Sequence, residues 1–227
     1  MRSAKSIGRF IGVLLFVQLV GLSLPFILMM PIASASYLEN LAEIAFQVRL
    51  AVFLLFANGA LTIGIAIAAY PILRQYSDRA PLWLFAFSII WFAMQAADNA
   101  HIMSMLSLSE QYNQGAGSNA AFLEVLGASV RSTRRWVHYS ELLIIDIWFL
   151  IFYGLLYRFR LVPRLLAGFG LLAVALHAAG IPLPVFLGYP SIMPLGFTLA
   201  ISHLAVGAWL VARGFPVHGT ENINTDE

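Results

Sequence analysis

The sequence contains no cysteine and few charged residues. Without cysteine, disulfide bonds, thiolate metal sites and cysteine nucleophiles are excluded. Charged residues make up 11% of the 227 positions, whereas they make up about a quarter of a typical soluble domain. The basic residues stand at the ends of apolar segments and do not form one cluster, so no nucleic-acid partner is expected. Hydrophobic residues account for 60% of the chain, which indicates a polytopic membrane protein.

Short enzyme motifs are also missing. The sequence has no His-Glu-x-x-His pattern, no His-x-x-x-His pattern and no nucleophile elbow. Any functional site must therefore be assembled from residues on different segments, and the sequence leaves open whether the protein is an enzyme.

Six apolar segments are each close to the ~20 residues that a helix needs to cross a bilayer. Their residues are continuously apolar and not alternating, so they predict helices, which satisfy their own backbone hydrogen bonds in lipid. The predicted fold is all-α, a polytopic integral membrane bundle of six transmembrane helices. It forms one domain over residues 1–215, followed by a disordered polar tail over residues 216–227. The segments are 10–32, 50–73, 81–106, 136–157, 165–187 and 192–211.

The distribution of arginine and lysine predicts the orientation of the bundle. Basic residues concentrate on one side, which places both termini in the cytoplasm. The exceptions precede the fourth segment on the outer side, where we expect them to contact anionic lipid phosphates or an anionic ligand. These exceptions are Arg131, Arg134 and Arg135, and the concentrated set is Arg2, Lys5, Arg9, Arg74, Arg79, Arg158, Arg160, Arg164 and Arg213.

Two outer connections are predicted to contain short interfacial helices. In residues 36–49, Ser36 and Glu39 have the spacing of a capping box. In residues 120–130, Phe122, Leu123 and Leu126 recur at helical spacing.

The first segment has a basic start, and the small residues Ala33, Ser34 and Ala35 follow it. A secretory signal peptide shares both features. However, the apolar run of about 22 residues exceeds the usual 7–15 of a signal peptide, so we expect it to remain as a transmembrane helix.

Ionisable side chains inside the predicted spans are the main functional signal, because a charge at membrane depth costs several kcal/mol. At 1.5 Å per helical residue, five of them reach similar depth in the outer half of the bundle and form the candidate cluster. They are Asp98, His101, His138, Glu141 and His177. Further intramembrane polar residues are Gln95, Asn99, Asp146 and His203; Asp146 is about 140° round its helix from Glu141, so these two cannot point at one spot.

Several functions are compatible with this cluster. Histidine nitrogens and carboxylate oxygens bind zinc and other divalent metals, and such an ion could polarise water or a lipid carbonyl. Two facing histidines could instead hold a haem. A series of acids and histidines could carry protons or ions, as in a small transporter. The same residues could also form a structural polar network in a membrane scaffold or accessory subunit, which acts by packing with partner proteins or further copies of itself.

Three stretches carry a family resemblance: "IAAYPILRQ", "LLYRFRLVPRLLAGFGLLAVAL" and "AVGAWLVARGF". They resemble six-helix bacterial membrane proteins catalogued only as a domain of unknown function, number four-three-eight-six. The resemblance covers the chain from the first span to Phe215. It implies a six-helix bundle in the bacterial cytoplasmic membrane and identifies no catalytic residue.

Overall fold

The computed structural model describes residues 3–34, 36–114 and 119–216, and this part of the chain contains helices and no β-strand. Six helical segments are long and apolar enough to cross a membrane. The predicted all-α bundle is therefore confirmed, while its orientation stays a prediction. The helices are α1 (Ala4–Leu28), α2 (Tyr37–Asn40), α3 (Ala45–Leu73), α4 (Ala80–Asn113), α5 (Ala120–Arg158), α6 (Arg164–Gly180), α7 (Pro182–Phe186) and α8 (Gly196–Arg213).

The six long helices form a ring in chain order. Helix α1 packs on α3, α3 on α4, α4 on α5, α5 on α6 and α6 on α8, and α8 returns to α1. Large side chains fill the middle of the ring, among them the fully buried Trp91, Trp148 and Tyr153. The ring of Trp148 stacks on Phe152 with centroids 5.2 Å apart. The centre of the bundle is thus a packed core in which aromatic side chains lie among aliphatic ones.

Helices α1 and α8 close the ring by direct backbone contact. A Cβ atom at Gly12 would lie 2.7 Å from the backbone nitrogen of Val211 and 2.8 Å from the carbonyl oxygen of Gly207. Only glycine permits this approach, which is how small residues bring membrane helices together. The first and last helices therefore lie side by side.

Helices α4 and α5 are much longer than the bilayer requires. They contain 34 and 39 residues, or roughly 51 and 58 Å, against a hydrocarbon core of about 30 Å. Residues 120–130, which the sequence predicted as a separate interfacial helix, are instead the first turns of α5. No glycine or proline interrupts the chain between Gly127 and Gly154, so one continuous helix forms.

A second, smaller hydrophobic core packs the connection between α1 and α3 against the C-terminal part of α4 and the N-terminal part of α5. Its buried residues include Tyr37 and Leu41, which pack with Ile102 and Met105 of α4. The Tyr37 hydroxyl donates to the carbonyl oxygen of Gly127 at 2.9 Å, and burial raises the pKa of this phenol. Of the predicted helix over residues 36–49, the structure shows the single turn α2, a 3-10 turn and the start of α3. The predicted disordered tail lies, from residue 217 onward, outside the described residues.

Candidate metal centre

Two matching stripes of polar and aromatic residues face each other across the α4–α5 contact. On α4, Trp91 and Asp98 are seven residues apart. On α5, Arg134 and Glu141 have the same separation, and His138 lies between them. Residues at these spacings share one face of a helix. Because consecutive helices of the ring are antiparallel, the two stripes meet.

This contact brings Asp98, His138 and Glu141 together. One ligand atom from each lies within 4.8 Å of the other two. The Nδ1 atom of His138 is 3.4 Å from Oδ2 of Asp98 and 3.8 Å from Oε2 of Glu141. Ligands of a tetrahedral zinc ion, each about 2.1 Å from the metal, are about 3.4 Å apart. The three side chains could therefore hold one metal ion after small movements.

Each carboxylate in this group also accepts a hydrogen bond from another side chain. Arg134 donates from Nε to Oδ1 of Asp98 at 3.1 Å and from its terminal Nη2 to Oδ2 at 3.2 Å. The indole Nε1 of Trp91 donates to Oε1 of Glu141 at 3.1 Å. The forked guanidinium contact compensates the buried charge of Asp98 and fixes the plane of its carboxylate.

The three-residue group is more exposed at its histidine than at its two acids. The side chains of Asp98 and Glu141 are 4% and 9% exposed, whereas that of His138 is 37% exposed. The two acids therefore lie inside the bundle, and the histidine ring is part-exposed, although its Nδ1 atom is itself buried.

The two remaining histidines of the predicted cluster take other partners. His177 of α6 forms a hydrogen bond with Asp146 of α5, with Nδ1 and Oδ1 2.7 Å apart. His177 takes this partner because Asp146 points away from Glu141 and towards α6. The Nδ1 atom of His101 lies 2.8 Å from the carbonyl oxygen of Ala97, within its own helix.

Other predicted polar residues lie outside the three-residue group. His203 is buried on α8, and its ring packs edge-on against Phe149 with centroids 5.3 Å apart. Gln95 is buried, and its Oε1 atom lies 2.7 Å from the position that a Cβ of Gly59 on α3 would occupy. Asn99 is buried one turn further along α4.

The three arginines before the fourth span have different surroundings. Arg131 donates from Nη2 to the carbonyl oxygen of Ala33 at 2.8 Å, and Arg135 is exposed. Arg134, expected to contact a lipid or an anionic ligand, is bound to Asp98 instead. The sequence carried a signal for this pairing, since Arg134 stands four residues before His138 on the same helical face. No comparable signal identified Trp91, which sequence patterns place with packing residues.

A family model described as Domain of unknown function (DUF4386) matches residues 10–214. The chain belongs to this family. Among curated proteins and among solved structures, none matches it. In this DUF4386 member the match runs from α1 to the end of α8, so the three candidate metal ligands lie inside the family domain.

Proposed function

We propose that the protein is a multi-pass protein of the bacterial cytoplasmic membrane that binds one divalent metal ion, with both termini cytoplasmic and the metal in the outer half of the bundle. Asp98, His138 and Glu141 are the proposed ligands. The observation that carries the proposal is their convergence, within 4.8 Å, in a mostly apolar bundle. Six helices able to cross a membrane support the location.

The chemistry of the three ligands favours zinc. One imidazole nitrogen and two carboxylate oxygens are usual zinc ligands, and no thiolate is needed. The two carboxylates balance the charge of a divalent ion, while Arg134 stands at the edge of the group. Haem is a poorer match, because a haem held from both faces needs two facing imidazoles and the group has one.

Three protein ligands leave a fourth position free, as in catalytic zinc sites. The His138 ring is 37% exposed, although its Nδ1 atom is buried, so the fourth ligand would be a water molecule admitted beside this ring. Such an ion could lower the pKa of the bound water or polarise a lipid carbonyl. The proposed activity is therefore metal-assisted chemistry on a small or lipid substrate at the membrane surface.

A second candidate function is a structural one, that of a membrane scaffold or accessory subunit. The observation in its favour is that Arg134 and Trp91 already donate hydrogen bonds to both acids. In that case the group links α4 to α5 without binding an ion, as buried polar pairs do in other membrane bundles.

The metal content of the purified protein separates the two candidates. After loading with zinc and removal of unbound metal, mass spectrometry of the elements is expected to find about one zinc ion per chain. We expect zinc binding to weaken at least about tenfold in each of the variants Asp98→Asn, His138→Ala and Glu141→Gln. Even mutation of the groups that orient metal ligands has effects of that size. His177→Ala is the matched control, since this histidine lies on another helix and is bonded to Asp146.

The metal proposal is wrong if the loaded wild-type protein retains no stoichiometric zinc. It is also wrong if the three ligand variants retain as much zinc as the His177→Ala control. Loss of thermal stability in these variants without any zinc in the wild type would favour the structural function.

A further inference from the structure

A groove lies between α4 and α5 at the opposite end of their contact from the metal centre. Its volume is about 500 Å³, and it is lined by residues that include Arg79, Trp83, Leu150, Gly154 and Arg158. The start of α4 is eighteen residues from Asp98, or about 27 Å along the helix. The groove is therefore a separate site, unconnected with the proposed metal ligands.

The lining of the groove changes from charged to apolar along the helices. Arg79 stands immediately before α4, and Arg158 is the last residue of α5, so both guanidinium groups belong to one end. Leu150 lies eight residues before Arg158, or about 12 Å deeper in the bundle. Trp83 stands one turn inside α4 and is exposed. A phospholipid has the same order, with a charged headgroup followed by apolar chains. In membrane proteins, tryptophan is preferred at the level of the headgroups.

The middle of the groove has room for a ligand. A Cβ atom at Gly154 would meet no other atom within 4 Å. Gly154 lies one turn from Leu150 and one turn from Arg158, so the open space joins the apolar part of the groove to its charged end.

The two arginines of the groove have no carboxylate partner. Among the described residues, no carboxylate oxygen lies within 4.0 Å of the Arg79 or the Arg158 guanidinium. The neighbouring acid, Asp78, pairs with Arg74 at 3.9 Å. The positive charge at this end of the groove is therefore available to an anion.

We propose that this groove binds an anionic phospholipid. Arg79 and Arg158 receive the phosphate group, and an acyl chain lies over Gly154 and Leu150. Basic pockets between transmembrane helices bind anionic headgroups in this way, and guanidinium groups form strong charge-assisted hydrogen bonds with phosphate. The apolar lining favours a lipid over a free phosphate ion, because phosphate would fill only the charged end of the groove.

Native mass spectrometry tests the proposal, with full-length protein released from nanodiscs that contain phosphatidylglycerol and phosphatidylcholine in equal amounts. We expect wild-type protein to retain phosphatidylglycerol in preference to phosphatidylcholine. Arg79→Gln and Arg158→Gln should each lower bound phosphatidylglycerol about fivefold, and the double variant about thirtyfold, from about 1 kcal/mol per basic residue. Gly154→Leu, which fills the groove without changing its charge, should also lower the bound lipid.

Arg213→Gln is the matched control, because Arg213 ends α8 at the same end of the bundle but does not line the groove. Circular dichroism and an unchanged melting temperature show that each variant is folded. Equal retention of the two lipids would overturn the proposal, as would an equal loss in Arg213→Gln or no loss in Gly154→Leu. Displacement of the lipid by millimolar inorganic phosphate would identify a free-anion site instead, which also overturns it.

Discussion

Helix α5 contributes to two pairs of a carboxylate and a histidine, and the two pairs differ in their partners and their exposure. Towards α4, His138 lies near both Asp98 and Glu141, and Arg134 and Trp91 donate to these acids. Towards α6, Asp146 contacts His177 alone at 2.7 Å, and its second oxygen, Oδ2, has no hydrogen-bond partner. The first pair is part of a group of five side chains, whereas the second is a single hydrogen bond.

The comparison shows that residue type does not determine what a buried pair can do. The group around Asp98 brings three candidate metal ligands together, and the ring of its histidine is part-exposed. The Asp146–His177 pair is buried on both sides, and among the described residues no third candidate ligand joins it. The number of side chains that converge separates a candidate binding site from a single contact between helices.

The largest effect on stability is expected for Arg134→Ala. This change leaves Asp98 buried without its forked partner, and loss of one member of a buried ion pair costs about 3–5 kcal/mol. Thermal unfolding in detergent, followed by circular dichroism, should show a melting temperature lower by several degrees. Arg135→Ala is the control, because Arg135 is exposed, and changes at such positions stay within about 0.5 kcal/mol. Equal melting temperatures for the two variants would show that the Arg134 contact contributes nothing to stability.

A smaller loss, about 2 kcal/mol, is expected for His177→Ala, which removes the hydrogen-bond partner of buried Asp146. Replacement of both partners, Asp146→Leu with His177→Leu, should recover most of this loss, since two apolar groups leave no buried polar atom unpaired. Denaturant unfolding of the single and double variants measures the difference. A double variant less stable than His177→Ala would contradict the assignment of a purely structural role to this pair.

The smallest effect is expected for His101→Phe. The only described hydrogen bond of this side chain is to the Ala97 carbonyl of its own turn, so the change should cost no more than about 1 kcal/mol. Zinc content should stay at the wild-type level, in contrast to His138→Ala. A loss of zinc in His101→Phe would extend the metal centre to a fourth ligand.

The apolar segments predicted all six long helices but not their full lengths. The segment over residues 136–157 was predicted as a span, whereas α5 runs from Ala120 to Arg158. Hydrophobicity reports the part of a helix that contacts lipid. A helix can continue beyond the lipid with polar side chains, because its backbone hydrogen bonds stay within the helix. The ends of α4 and α5 were therefore beyond what hydrophobicity could detect.

The candidate site was predicted only in part, because the sequence gives the depth of a residue but not the helix that it faces. Depth along the helices brought Asp98, His138 and Glu141 to one level, and the structure places them together. Depth alone could not assign His177. This residue of α6 lies near that level, but it forms its hydrogen bond with Asp146 of α5. Which helix faces which depends on the order of the ring, and a single sequence carries no direct signal for that order. Only the offset of Asp146 from Glu141 indicated that α5 faces two polar neighbours.

The contact between Gly12 and α8 has a consequence for how the molecule is made. Of the described helices, α1 leaves the ribosome before the others, and α8, which covers one flank of it, leaves after them. Until α8 has been made, the glycine face of α1 must therefore remain against lipid or a chaperone. Truncation before α8 would leave α1 and α6 each without a neighbour on one side, so the ring stays open until α8 is inserted.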